Sequence, residues 1–301
     1  QPLNASAGLY YYNGVDGAAG TVSRNSTLDG QTPNATFDPS TGTLTLNGLN
    51  VKVTDSGKKG IQWDYSSAGN HDLIINLQDD TTNTVESTVD GAIGAVNGDT
   101  ESGNGPSLTI QGGGKLNATG YHSGIWAWKN ITIKDNVTVK AIGKTSNGIA
   151  NNSSFGKIII EGNANVVADG GTYGIGYSND KSNANTPEIK GGTLEAKGTT
   201  QAMMVAPDYK FQNFTVIASK KKDGTEPEDY YLASNISSYK YLKFTQQHTH
   251  CVCGAAHKAV GDHTNSNEVT FEAWTKTDSL PRQAGNYYLT DDITLGWTWS
   301  I

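Results

Sequence analysis

Cysteine, arginine and long apolar runs are scarce in this chain of 301 residues. Cys251 and Cys253 are the whole cysteine supply, too few for a disulfide framework. The only arginines are Arg24 and Arg282. A lyase that eliminates beside a uronate carboxylate needs a strong base next to that carboxylate, and neither arginine lies in the repetitive middle of the chain. No apolar run approaches the ~18 residues that span a bilayer, which excludes insertion through a hydrophobic helix. No stretch sustains helical periodicity. Charged residues make up 17% of the chain and the net charge is −7, a balance that argues against nucleic acid and anionic membrane surfaces as partners. No basic-then-apolar leader opens the chain, and Gln1-Pro2-Leu3-Asn4 fits the mature end left after cleavage of one.

What the chain has is glycine, 36 residues of it, spaced among short alternating strands. Ser107 to Gly143 shows one whole unit and the start of the next. The first strand of the unit recurs as Leu44-Thr45-Leu46, Leu73-Ile74-Ile75, Leu108-Thr109-Ile110, Ile131-Thr132-Ile133, Ile158-Ile159-Ile160, Glu188-Ile189-Lys190 and Phe214-Thr215-Val216. The steps over the first six run from 23 to 35 residues. A second strand recurs as Val51/Val53, Leu116/Ala118, Val137/Val139, Val166/Ala168 and Leu194/Ala196. A third follows glycine: Gly60-Ile61, Gly91-Ala92, Gly124-Ile125, Gly148-Ile149, Gly174-Ile175 and a degenerate Ala202-Met203. A period of this size marks a solenoid or a propeller. Three strands per unit is one too few for a propeller blade. Asn and Gly at the bends supply the tight corners. No coil can bury its apolar side alone, but stacked coils set Ile on Ile and bury a continuous core. The pattern predicts an all-β protein, a single-stranded parallel β-helix of about six or seven coils, right-handed by the general preference of parallel crossovers.

The expected organisation is a cap and lead-in over 1–41, the β-helix over 42–247, a His/Cys connector over 248–268 and the start of a further β segment over 269–301. The tyrosines at 10–12 suit cap packing, since a solenoid end must cover its strand edges. Polar insertions at 90–105 and 178–186 lengthen two corners. Residues 220–229 break the repeat, and Tyr239 to Phe244 looks like a closing hairpin. The chain stops at Trp299-Ser300-Ile301 with no polar tail, and a further β domain is expected beyond it.

Three constellations carry chemistry. Four of the six histidines and both cysteines fall between residues 248 and 263. A Cys-x-Cys pair closes poorly on itself but can offer two thiolates to one tetrahedral metal. Cys251, Cys253, His257 and His263 make a Cys2His2 set for structural zinc, with His250 as a substitute ligand; the other reading is an unmetallated linker with free thiols. The aromatics come second. Trp126 and Trp128 share one face if Ile125 points inward, Trp63 and Tyr65 share a face, and Tyr177 lies on a corresponding later strand. Such rings beside Asp, Asn and Gln suit a sugar chain, stacking its C–H faces and bonding its hydroxyls. The same rings equally suit packing between coils or shielding of a corner. The acids are third: Asp79, Asp80, Asp90, Asp99 and Glu101 lie close in sequence. They suit a glycosidase pair, a hard-cation site such as calcium or plain turn chemistry. His71 and His122 stand isolated, and no lysine in the coils is visibly grouped with acids.

The run TFDPSTGTLTLNGLNV, the I-T-I-K-x-N-V-T-V-K-A pattern and the Gly-Ile strands resemble the carbohydrate-binding parallel β-helix proteins of anaerobic, often gut-dwelling, Gram-positive bacteria. The resemblance covers about residues 30 to 245. The wider group has the pectate-lyase-like right-handed β-helix, and one branch binds pectin-type polymers without cleaving them. HTHCVCGAAHKAVGDH and the segment after it resemble a module that recurs between β domains in large surface proteins of the same bacteria. The resemblance implies a secreted or cell-surface, noncatalytic, monomeric binder of polysaccharide. The alternative is a structural or adhesive spacer. A polysaccharide lyase or glycoside hydrolase is the third reading and requires two carboxylates at catalytic separation.

Overall fold

The computed structural model describes residues 8–12, 22–24, 34–38, 40–54, 59–64, 72–96, 104–151, 156–177, 187–204, 214–229, 236–246, 249–251, 268–270, 272–274 and 287–289. The chain falls into two compact units: Gln1–Lys210 with Val216–Phe244, and Phe211–Thr215 with Thr245–Ile301. Among the described residues there is no α-helix, only one short 3-10 turn at Ile236–Ser238.

The larger unit is built from strands visited in a fixed rotation. The first face takes Thr43–Leu46, Leu73–Leu77, Leu108–Gly112, Ile131–Ile133, Ile158–Ile160 and Glu188–Ile189. The second takes Asn50–Val53, Thr82–Ser87, Lys115–Gly120, Thr138–Gly143, Asn165–Gly170 and Thr193–Gly198. The third takes Ile61–Asp64, Ile93–Val96, Ile125–Ala127, Asn147–Asn151, Tyr173–Tyr177 and Gln201–Met203. Each strand pairs in parallel with the one three places on, where the register is described. The architecture is all-β and parallel-stranded, compatible with the expected β-helix.

Period-two alternation buries one side of the strands of the first two faces, while on the third face Asn147–Asn151 is buried throughout. Inward residues then stack in rows. On the first face Leu44, Ile75, Ile110, Ile133, Ile160 and Ile189 form one row. On the second, Val51, Val85, Ala118, Ala141, Ala168 and Ala196 form another. On the third, Ile61, Ile93, Ile125, Ile149, Ile175 and Met203 do the same. Nearly all are fully buried, and a buried branched aliphatic stabilises by roughly 1.5–3 kcal/mol.

The corner between the second and third faces is a stack of glycines. Gly120, Gly143, Gly170 and Gly198 are in register, and a Cβ on Gly170 would lie 1.8 Å from the Tyr173 carbonyl oxygen. No side chain fits there. The corner between the first and second faces turns through left-handed backbone at Gly48, Asp80, Gly112, Asp135, Gly162 and Gly192. Aspartate is one of the few residues besides glycine that tolerates this conformation.

The repeat is corrected in several places, including Leu44, which pairs with Ile75 and not Leu73, and Val51, which aligns with Ala118 and not Leu116. Phe214–Ser219 joins the second face, not the first, and with Glu228–Asp229 and Tyr241–Gln246 extends that sheet beyond Thr193–Gly198. The second face has a strand at Thr82–Ser87 that the apolar pattern hides, because Asn83 occupies the position of Leu116. Asn83 is fully buried and satisfied: its Oδ1 accepts from Leu49 N (2.9 Å), and its Nδ2 donates to Thr81 Oγ1 and Lys115 O (both 3.2 Å). Val139, not Val137, aligns with Leu116. Ile93, not Ala92, aligns with Ile61 and Ile125, so Ala92 stands where other coils have glycine. At the leading edge, Ala35–Asp38 and Gly8–Tyr12 add antiparallel strands to the first face, with Val22–Arg24 beyond them. Tyr10, Tyr11 and Tyr12 therefore lie in a strand.

In the smaller unit Thr249–Cys251 pairs antiparallel with Glu268–Thr270, and Glu272–Trp274 pairs in parallel with Tyr287–Leu289.

Candidate functional site

Parity along the third face decides which aromatics reach the surface. The Ile row points inward, so the residue after each Ile points outward and the next inward again. The outward row is Gln62, Gly94, Trp126, Ala150 and Gly176. The inward row two residues past each Ile is Trp63, Ala95, Ala127, Asn151 and Tyr177.

Trp126 stands in the outward row, Trp128 follows just past the end of the strand, and both are half-buried. Their ring centroids are 5.9 Å apart with planes at 81°, so the edge of one ring meets the face of the other. Small residues flank Trp126 in both neighbouring strands, Gly94 on one side and Ala150 on the other. Its ring is therefore not crowded by an equal on either side.

Trp63 and Tyr177 are corrected. Trp63 is 2% exposed and packs edge-on against Phe37, centroids 5.4 Å apart. Tyr177 is 5% exposed. Both sit at an even step from an inward Ile, which places them in the core rather than on a binding face. Tyr65 lies outside the described residues. Among the described residues the expected strip loses Trp63 and Tyr177, and the half-buried rings of the third face are Trp126 and Trp128 on one coil and Tyr173 on another.

Around that coil the structure adds residues the sequence did not group. Tyr121 and His122 stand at the corner leading into Ile125–Ala127, with ring centroids 5.0 Å apart at 73°. Thr145 Oγ1 lies 3.4 Å from His122 Nδ1. Asp90, one coil earlier, pairs with Lys59 Nζ at 2.7 Å. Burial raises the Asp90 pKa, but the hydrogen bonds from Lys59 and from the Gly91 N–H outweigh it and hold the carboxyl below the ordinary aspartate range. The Lys59 stem crosses the space over Gly94, where an added Cβ would come within 2.6 Å of its Cδ. Sequence could not show this grouping, because Lys59 and Asp90 are 31 residues apart and meet only through stacking. Other lysines pair across the coils too, among them Lys157 with Glu188 and Lys222 with Asp169, so the view of the lysines as ungrouped is also corrected.

The remaining acids take turn roles. Asp80 occupies a left-handed corner, and the Asp79 carboxylate lies over Gly113. Asp99 and Glu101 are outside the described residues. Among the described residues no group of three or more His, Cys, Asp or Glu stands close enough to hold a metal. Of the expected zinc ligands, Cys253, His257 and His263 lie outside the described residues, as does the side chain of Cys251, whose backbone ends the strand Thr249–Cys251.

No family model, curated protein or solved structure matches this chain.

Proposed function

We propose that this chain is a noncatalytic carbohydrate-binding protein of the cell exterior, secreted or surface-displayed. It is a monomeric right-handed parallel β-helix of about six or seven coils that holds polysaccharide against its third face. The observation that carries this reading is the half-buried pair Trp126 and Trp128, set nearly at right angles, with Trp126 held in parallel register on both sides and Trp128 N donating to Ala95 O. A perpendicular pair offers one ring face for the C–H side of a sugar and a second ring as a wall beside it. Aromatic burial dominates such contacts.

The family likeness and the connector module rest on the repeats and on the His/Cys spacing alone. The same spacing supports structural zinc at Cys251, Cys253, His257 and His263. Zinc would supply folding free energy to a short segment without a core of its own. Metal analysis of purified protein should find about one zinc per chain, lost in a Cys251→Ser/Cys253→Ser variant; a full zinc complement in that variant refutes the site.

The spacer reading is favoured by a specific observation: Trp63 and Tyr177 are core residues, so the aromatic surface is smaller than a long polymer would use. A glycan array decides, run with wild type and a Trp126→Ala/Trp128→Ala variant, with product analysis of every hit. The proposal expects binding that needs the tryptophans and releases no oligosaccharide. No hit at saturating protein supports the spacer, and released product supports an enzyme.

A further inference from the structure

The aromatic surface does not end at Trp126. Tyr121 is 43% exposed, one of two large hydrophobic side chains so open among the described residues. It stands on the same coil as Trp126 and Trp128, five residues before Trp126. Its backbone is pinned from both neighbouring coils. Tyr121 N donates to Asp90 O (2.8 Å), while Thr145 N (2.9 Å) and Thr145 Oγ1 (2.8 Å) donate to Tyr121 O. An exposed ring on a rigid backbone is a platform that loses little entropy when something stacks on it. The coils on either side carry Asp90 and Thr145 at this corner, with no ring. Hydroxyl-bonding groups stand beside it instead: the His122 ring, edge-on to Tyr121, and the Thr145 hydroxyl, 3.4 Å from His122 Nδ1.

We infer that Tyr121 and His122 form a second subsite of the same binding surface, so that the ligand is an oligosaccharide segment lying along one coil, across the stack, from Trp126 and Trp128 to the corner at Tyr121. This rests on the reading of Trp126 and Trp128 as sugar contacts. The orientation follows from the neighbours. Along the stack no ring continues the platform, since the positions in register with Trp126 are Gln62 and the buried Gly94, Ala150 and Gly176, with Gly94 under the Lys59 stem. A chain following the coil meets all four rings in turn. Five residues separate Tyr121 from Trp126, at most about 17 Å of chain and less because the backbone bends before Ile125; a ligand touching both is taken to be longer than a disaccharide.

The test is calorimetric titration of wild type, Tyr121→Ala and Trp126→Ala with the disaccharide and hexasaccharide members of the cello-, xylo- and galacturono-oligosaccharide series. Tyr121→Ala is expected to weaken the hexasaccharide about tenfold, an ordinary stacking contact, and to leave the disaccharide unchanged. Trp126→Ala is expected to weaken both. If Tyr121→Ala changes neither, or weakens both equally, the second subsite is overturned while the sugar-binding reading stands. If Trp126→Ala changes neither, or no series binds wild type, the reading beneath it falls as well. The open position of Tyr121 leaves folding undisturbed, which near-identical thermal melts of the variants should show.

Discussion

The first and third faces are made from the same repeat and differ in what they tolerate. On the first face the row from Leu44 through Ile133 to Ile189 is aliphatic in every coil. The third face keeps one such row, from Ile61 to Met203, and lets everything beside it vary. Its second inward row runs from Trp63 through Ala95 and Ala127 to Asn151 and Tyr177, and its outward row has Trp126 between Gly94 and Ala150. A solenoid needs only enough uniform rows to lock its register. The positions left free of that duty can hold a Trp in one coil and a Gly in the next, and recognition can be placed there without disturbing the stack.

That contrast can be broken first at the glycine corner that leads into the third face. Gly170→Val drives a side chain into the Tyr173 carbonyl and should cost about 4 kcal/mol or more, or prevent folding, read by denaturant unfolding. Next is the uniform row. Ile133→Ala opens a cavity in a fully buried position and should cost about 2–5 kcal/mol. Trp126→Ala on the third face should stay within about 1 kcal/mol of wild type while weakening the proposed glycan binding. Equal destabilisation by the two would refute the division of labour.

A subtler case is Asn83, a polar residue inside an aliphatic row. Asn83→Leu restores the row but strands the Leu49 N–H and the Lys115 carbonyl, and should destabilise by about 1–3 kcal/mol; a more stable variant would show that the row matters more than the hydrogen bonds. The smallest effect is expected at Asp90. Its depressed pKa means the Lys59 contact stabilises the fold fully above the ordinary aspartate value of 3.8. That contribution is lost as pH falls through the lower folded-state value. Asp90→Asn should cost less than about 1 kcal/mol at neutral pH, with the gap to wild type closing under strong acid. A gap that persists there assigns the effect to packing.

The parallel-stranded all-β architecture was legible because stacking repeats its demands in the sequence: an apolar residue at most inward positions and a glycine at most of the corners where two backbones meet. It was illegible where one coil substitutes for another's solution. Asn83 replaces an aliphatic residue by satisfying neighbouring backbone groups, and Ala92 replaces a corner glycine. The candidate site was half legible. Trp126 and Trp128 follow from counting outward from Ile125, and the same count from Ile61 and Ile175 puts Trp63 and Tyr177 inside. Tyr121 carries no signal of its own, since a lone Tyr beside a His in a turn looks like any other.

By itself the sequence determined the period of the repeat and, through alternation, which side of each strand faces the core, because both are properties of a single strand and its turn. Only the tertiary structure decided which residues become neighbours. Lys59 meets Asp90, Thr145 meets Tyr121 and His122, and Trp126 stands between Gly94 and Ala150 because parallel stacking brings residues roughly 20 to 35 positions apart in sequence to about 4.8 Å in space. No local pattern encodes that register.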